Sequence, residues 1–208
     1  LIEGAIDRTL SWESDDITLQ NVQARVRSPS AWMFANINNA LLLATSNRSE
    51  ASVGYATMDG DTSGSISPIS GIDKSFIRTW LLWLEKQGFK GLHLVNSLEP
   101  SAELRPLTEK QVDEEDLMPY PILNTIERLV FYDLLSPHEC LEEVNKRYGA
   151  VFAKEKLEEF VRRFFRLWAR NQWKRERYAP GFHVDDYSLD PKSWLRFPIL
   201  SAGLEKDI

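Results

Sequence analysis

Apolar residues follow two rhythms along this chain. Ala40-Leu41-Leu42-Leu43-Ala44-Thr45 is a short unbroken run between Asn38-Asn39 and Ser46-Asn47. Such a run predicts a strand covered on both faces, as in a parallel sheet. Elsewhere the spacing is helical. Asp15-Asp16-Ile17-Thr18 predicts a helix start with Thr18 as the cap, running through Val22 and Val26 until Pro29 kinks or ends it. Asp73 caps a second helix with Phe76, Ile77, Trp80, Leu81 and Leu84 in register and Gly88 at its exit. Ile122, Ile126, Leu129 and Val130 share one face of a third. Ser136-Pro137-His138-Glu139 is a capping box with proline in the first turn, opening a helix that closes at Gly149. The strongest pattern spans 154–172, with Leu157, Phe160, Val161, Phe164 and Trp168 as a stripe. There Glu158/Arg162 and Glu159/Arg163 are i,i+4 pairs in the favourable order.

The connections carry information of their own. Residues 54–71 hold four of the ten glycines and four serines, predicting a long flexible loop of the kind that forms lids and binding loops. A proline-rich acidic connector covers 100–121, and the tail from Pro180 is irregular. The expected organisation is a linker or leader remnant over 1–17, an α/β unit over 18–120, and a helical extension with an irregular tail of the same domain over 121–208. A doubly wound sheet needs several strand–helix units, and barely two are visible. The reading is one end of a sheet with the remainder missing.

Composition narrows the class. The 208 residues are 43% hydrophobic with a net charge of −6, which points to neither nucleic acid nor an anionic membrane. Charge is uneven: 154–177 carries nine Lys/Arg against four Glu, leaving +5 there and −11 elsewhere. The i,i+4 acids and the apolar stripe of that segment favour packing over a nucleic-acid face. Cys140 is the single cysteine, which excludes a disulfide framework. No apolar run approaches a membrane span and no leader pattern opens the chain, so a cytoplasmic location is expected. The chain starts at Leu1 without a methionine, suggesting a boundary inside a longer polypeptide. His93, His138 and His183 are scattered and read as structural or solvated.

Candidate chemistry concentrates between Thr45 and Lys74. Ligands of open α/β sheets bind where strands end, and the apolar run ends in Thr45-Ser46-Asn47-Arg48-Ser49-Glu50. Glu50 one turn on, Asp61 on the loop and Lys74 at the next helix start supply two carboxylates and an ammonium. Converging, they can hold Mg²⁺ and the phosphates of a nucleotide. Apart, they are a surface acid, a turn former and a solvated lysine.

Five segments in series bear a resemblance. Asn21-Val22-Gln23-Ala24-Arg25-Val26-Arg27, Leu43-Ala44-Thr45-Ser46-Asn47-Arg48-Ser49-Glu50, Pro68-Ile69-Ser70-Gly71-Ile72-Asp73-Lys74, Pro100-Ser101-Ala102-Glu103-Leu104 and the acidic Asp113-Glu114-Glu115-Asp116-Leu117 resemble the NAD synthetase family in order and spacing. The resemblance covers about Thr18 to Phe197. It implies a partial Rossmann-like, adenine-nucleotide α-hydrolase (pyrophosphate-loop) α/β fold with a mainly helical C-terminal extension. It implies a ligase that adenylates the nicotinate carboxylate of deamido-NAD with ATP, releases pyrophosphate, and lets ammonia displace AMP. By position, Glu50 corresponds to the family's Mg²⁺ ligand and Asp61 to a second. Thr45, Lys74 and Ser101 correspond to ATP contacts, the family usually having Thr at the last, and Lys74 also to the cation that assists the chemistry. Arg25 and Lys174 correspond to deamido-NAD contacts, although Trp173 stands where the family has His. Met58 and Ser65 stand where the ammonia-dependent members have Lys and Asp, so those dinucleotide contacts are replaced or lost.

The tail through Trp194-Leu195-Arg196-Phe197-Pro198-Ile199 is similar to glutamine-dependent members, which implies an upstream glutaminase domain delivering ammonia, and a homo-oligomer. The family's Ser-Gly-Gly-x-Asp-Ser loop grips ATP through backbone N–H groups. No Gly-Gly pair occurs here, so that loop is expected before Leu1 and the chain alone is expected to be inactive. Two alternatives stand beside this: a fragment of another adenylating amidotransferase of the pyrophosphate-loop class, and a non-catalytic helical interaction module.

Overall fold

The computed structural model describes residues 2–106, 112–201, 203, 204, 207 and 208. Ten helices form among them: α1 (Ile2–Ile6), α2 (Trp12–Ile37), α3 (Arg48–Val53), α4 (Lys74–Lys86), α5 (Leu92–Ser97), α6 (Asp113–Asp116), α7 (Tyr120–Phe131), α8 (Pro137–Tyr148), α9 (Lys154–Arg170) and α10 (Gln172–Arg175). Residues 107–111 of the acidic connector lie outside the described residues.

The core is built where helical periodicity is clearest. From α7 come Ile122, Leu123, Ile126 and Leu129, from α8 Cys140 and Val144, and from α9 Leu157, Val161, Phe164, Phe165 and Trp168. Phe131 meets Phe164 and Trp168 at ring-centroid distances of 6.1 and 5.6 Å, and Phe197 of the tail closes on Trp168 at 4.3 Å. Each such aromatic contributes roughly 1.5–3 kcal/mol by burial. The capping box at Ser136 is present in both directions, and the Glu158–Arg162 and Glu159–Arg163 pairs form at 3.0 and 2.5 Å. Tyr187 and Leu189 of the tail enter the same core, as do Ala51 and Val53 of α3, so the segments 18–120 and 121–208 share one apolar centre.

Three expectations are corrected. The long helix is capped by Ser11, whose side chain accepts from Ser14 N, rather than by Thr18. Asp15 (φ −127°, ψ 21°) interrupts it. Its carboxylate takes Ser11 N, Ser14 Oγ and Arg8 in place of helical geometry, and the helix resumes near the sequence-predicted start. Pro29 sits inside the helix, which continues to Ile37; a proline removes one backbone donor without forcing an end.

The expected strand is the second correction. The Ala40–Thr45 run makes a single parallel bridge, Leu43 to Ile66, and a further bridge joins Ser67 to Gly181. Ala44 N donates to Ile66 O at 2.9 Å and Ser65 N to Leu42 O at 2.8 Å. Leu41 and Leu43 are 63% and 51% exposed. With pairing to one partner segment and no layer covering Leu41 and Leu43 among the described residues, the sheet expected of a partial α/β unit is reduced to isolated bridges.

Third, α4 forms as expected under Asp73, which accepts from Phe76 N, yet none of its side chains is buried. Phe76, Trp80 and Trp83 stay exposed, α4 packing mainly against α5, α7 and α3 among the described helices. Residues 54–71 follow a defined path: Arg25 Nε donates to Met58 O, Lys174 Nζ to Gly54 O and Ala56 O, and Ser67 N to Pro180 O.

Candidate functional site

The site grows from four consecutive residues. Asn47 caps α3, its side chain accepting from Glu50 N at 3.0 Å. Arg48 turns into the protein and donates from Nε to Glu127 Oε1 at 2.6 Å and from Nη1 to Gly71 O at 3.0 Å and Asp185 Oδ2 at 2.6 Å. Ser49 Oγ donates to Asn124 Oδ1 at 2.6 Å and accepts from Lys74 N at 2.9 Å. Glu50, half-buried, pairs with Lys74 Nζ at 2.8 Å. The α3 and α4 N-termini are thereby stitched together, and the stitch brings an acid and an amine from 24 residues apart into contact.

Two cavities flank this junction. One of about 310 Å³ is lined by residues that include Thr45, Asn47, Lys74, Ile77, Leu81, Val95 and Pro100. Its wall is largely apolar with the lysine at the rim, which suits a flat ring carrying an anionic arm. The other, about 430 Å³, is lined by Gly54, Tyr55, Asp61, Arg105, Asp116, Asn171 and Lys174. Gly54 is left-handed (φ 65°), and a Cβ there would stand 2.3 Å from Asn171 Cβ, so this close approach requires glycine. Burial lowers the Lys174 ammonium pKa, while the Asp61 charge acts in the opposite sense.

Of the sequence-predicted residues, Thr45 and Lys74 line the first cavity and Asp61 and Lys174 the second, while Glu50 lines neither and meets the first only through its contact with Lys74. Asp61 receives Thr57 N at 2.6 Å. Among the described residues no three or more His, Cys, Asp or Glu gather in a way that could hold a metal ion. Arg25 spends its Nε on the Met58 carbonyl. Ser101 is exposed, its Oγ accepting from Glu103 N. Lys174 reaches across to the loop carbonyls at 2.8 and 2.9 Å. Met58 is buried, so its side chain takes no part in a polar site, and Ser65 is tied by its backbone to Leu42.

Sequence reasoning overlooks the charges beneath the site. Glu127 has no exposed surface, and its Oε1 also accepts from Tyr187 OH at 2.8 Å while Oε2 has no partner. The Arg48 guanidinium lies 4.3 Å from the Tyr187 ring centroid and 3.6 Å from Asp73. Burial pushes the Glu127 carboxyl up to about 7 despite Arg48 and Tyr187. Arg48 itself loses by burial but is held protonated by Glu127, Asp185 and Tyr187. Three acids share one guanidinium, so the carboxyl is the group that yields. Arg175 is also buried, satisfied by the carbonyls of Ala51, Ser52 and Trp168 and by Gln172, and burial lowers it to about 10. One signal is available: Glu127 lies four residues from Leu123 and three from Val130, on the apolar face of its helix.

Comparison with known proteins places this geometry. The model of the family described as NAD synthase matches residues 2–177, and the chain belongs to that family. Among its relatives, the glutamine-dependent NAD(+) synthetases of Rattus norvegicus and Rhodobacter capsulatus are 31% and 32% identical to it, over 89% and 96% of this chain and 27% and 35% of theirs. The crystal structure of a glutamine-dependent NAD(+) synthetase from Cytophaga hutchinsonii superposes with a TM-score of 0.84 at 51% identity, covering 99% of this chain and 32% of that one. The chain thus spans about a third of the length of these proteins. No helix among the described residues is long and apolar enough to cross a membrane.

Proposed function

We propose that this chain forms the C-terminal part of the ATP-dependent amidation unit of a glutamine-dependent NAD synthetase acting in the cytoplasm. The Glu50–Lys74 contact at the rim of the cavity behind Thr45 carries this reading. The substrates are ATP, deamido-NAD and ammonia released from glutamine by a glutaminase domain elsewhere in the same polypeptide. A nicotinate carboxylate oxygen forms a bond to the α-phosphorus as the bond to the β-phosphate oxygen breaks and pyrophosphate leaves. Ammonia then attacks the acyl carbon, the bond to AMP breaks, and a proton departs with the products.

The difficulty is the charge that builds on the leaving pyrophosphate. In this reading Lys74 neutralises that charge, and its 2.8 Å contact with Glu50 orients the amine. The cavity of Thr45 and Lys74 takes ATP, with Ser101 next to Pro100 of its lining. The cavity of Asp61 and Lys174, with Arg25 bracing the loop, takes the dinucleotide. Mg²⁺ commonly binds through one or two carboxylates plus substrate phosphates, and Glu50 with Asp61 would offer them. Such an ion would supply further neutralisation of phosphate charge. The exposed Leu41 and Leu43, with Met33, Phe34 and Ile37 of α2, would be covered by further sheet strands and a second subunit.

The test is a graft of this chain into the Cytophaga hutchinsonii synthetase in place of its counterpart, assayed for NAD from deamido-NAD, ATP and glutamine. The graft is expected to be active, and Glu50→Ala and Lys74→Ala each to lower kcat by roughly 10²–10³-fold. Unchanged kcat in both variants refutes the proposal. The 208 residues alone should form no NAD; product from them would overturn that part.

A further inference from the structure

The Glu50–Lys74 pair is only as well placed as the two helix starts that carry it: α3 is short, with six residues, but packed into the core through Ala51 and Val53, whereas α4 has no buried side chain to fix it. What joins the two starts is a set of charges on the inner side of the junction. Arg48 is 4% exposed and reaches three parts of the chain at once. It meets Glu127 of α7, the Gly71 carbonyl and Asp73 at the α4 start, and Asp185 with the Tyr187 ring in the tail. Its own backbone N–H donates to Ile72 O at 2.9 Å. Asn124, one turn before Glu127, donates to Asp73 Oδ1 at 2.9 Å and Ser75 Oγ at 2.8 Å and receives Ser49. Arg48 and Glu127 line neither the Thr45–Lys74 cavity nor the Asp61–Lys174 cavity.

A planar guanidinium presents its donors in a fixed fork, so each partner it holds is fixed in direction as well as distance. With Gly71 and Asp73 on that fork, the α4 N-terminus cannot rotate about Asp73 without breaking contacts to Arg48 and Asn124. Rotation there would swing Lys74 away from Glu50. Misplacing a reacting group by about 1 Å can reduce a rate by roughly 10²-fold.

We propose that Arg48 and Glu127 are positioning residues for the amidation site: the buried hub they form sets the separation and direction of Glu50 and Lys74 without touching substrate. This rests on the function proposed above. It assigns a task to a buried ion pair, an element that is often neutral or unfavourable for stability when compared with apolar side chains of similar volume.

That comparison supplies the test. In the full-length grafted enzyme, Arg48→Met, Arg48→Met/Glu127→Leu and Arg48→Lys are compared by ATP–pyrophosphate exchange in the presence of deamido-NAD, and by thermal melting. Arg48→Met removes the donors to Glu127, Gly71 and Asp185 and leaves the buried ones among those acceptors short of a partner, so both melting temperature and kcat should fall. The double variant replaces the pair with apolar groups, so melting should recover toward the parent. Its kcat should stay at least tenfold down with KM for deamido-NAD within about twofold. Recovery of kcat together with melting overturns the proposal, because the hub would then serve only the fold. Should the double variant not fold, Arg48→Lys decides. It keeps the charge but not the fork, and should lower kcat at least threefold with KM for deamido-NAD unchanged; parental kcat overturns the proposal. Glu50→Ala in the same graft separates the two claims. If it leaves exchange intact, the proposed function fails. If it abolishes exchange while the double variant runs at the parental rate, only the positioning role fails.

Discussion

Replacing Glu127 by glutamine tests whether burial or pairing governs the charge beneath the site. Glutamine has the same shape and keeps an oxygen to accept from Arg48 Nε and Tyr187 OH, so the perturbation is confined to the ionisable proton. In the folded chain Glu127 is pushed from 4.5 to about 7 by its complete burial, which outweighs Arg48 and Tyr187. Between those values the native state holds a proton that the unfolded chain has released. Linkage then makes stability fall as pH rises through the window, and below about 4.5 the contribution is flat. At about 1.4 kcal/mol for each tenfold change in proton activity, the whole window is worth about 3 kcal/mol. Urea unfolding of both forms between pH 4.5 and 7.5 measures the difference directly, since the other titrating groups cancel to first order. The glutamine variant should gain about 3 kcal/mol on the parent across that range. A difference that is independent of pH, or that grows in favour of the parent, would refute the reasoning. It would mean that the Arg48 charge, shared though it is with Asp185 and Asp73, overcomes desolvation.

Two further outcomes test the packing around the site. Gly54→Ala forces a left-handed Cβ to within 2.3 Å of Asn171 Cβ. It should cost about 2 kcal/mol or more, read as a drop of roughly 5 °C in melting temperature; an unchanged melting curve would contradict the close approach of α3 to the start of α10. Burial raises the Cys140 thiol to about 12. A disulfide reagent at pH 8 should therefore leave it untouched in the native chain and modify it once urea is added; rapid labelling of the native chain would count against its burial.

What is legible in the sequence is local. The Ser136 capping box, the Leu157–Trp168 stripe and the i,i+4 pairs depend on residues three or four apart, and all are present in the fold. The start of α2 escapes the pattern because Ser11 competes with Thr18 as a cap and Asp15 breaks the helix between them. The Ala40–Thr45 run reads as doubly covered because apolarity records what a strand would like to touch, while its neighbours lie elsewhere in the chain. The site shows the same division. Glu50 and Lys74 can be expected together because both follow directly from element ends around one loop. Spacing cannot assign Asp61 between two cavities, since its direction is set by the Thr57 turn. Arg48 and Glu127 are 79 residues apart, and no local rule couples them.

The reach from Arg48 to Asp185 spans 137 residues. A ribosome extends a chain at roughly 5–20 residues per second, so the arginine waits some seconds for the last of its acids to be made. Until then Arg48 has Glu127 and Asp73 as partners but not Asp185, and the interior formed by α3 and α7 lacks its tie to the tail. Completion of this buried hub is thus tied to synthesis of the tail that carries Asp185. A nascent chain interrupted before residue 185 would leave that interior open to chaperones and proteases.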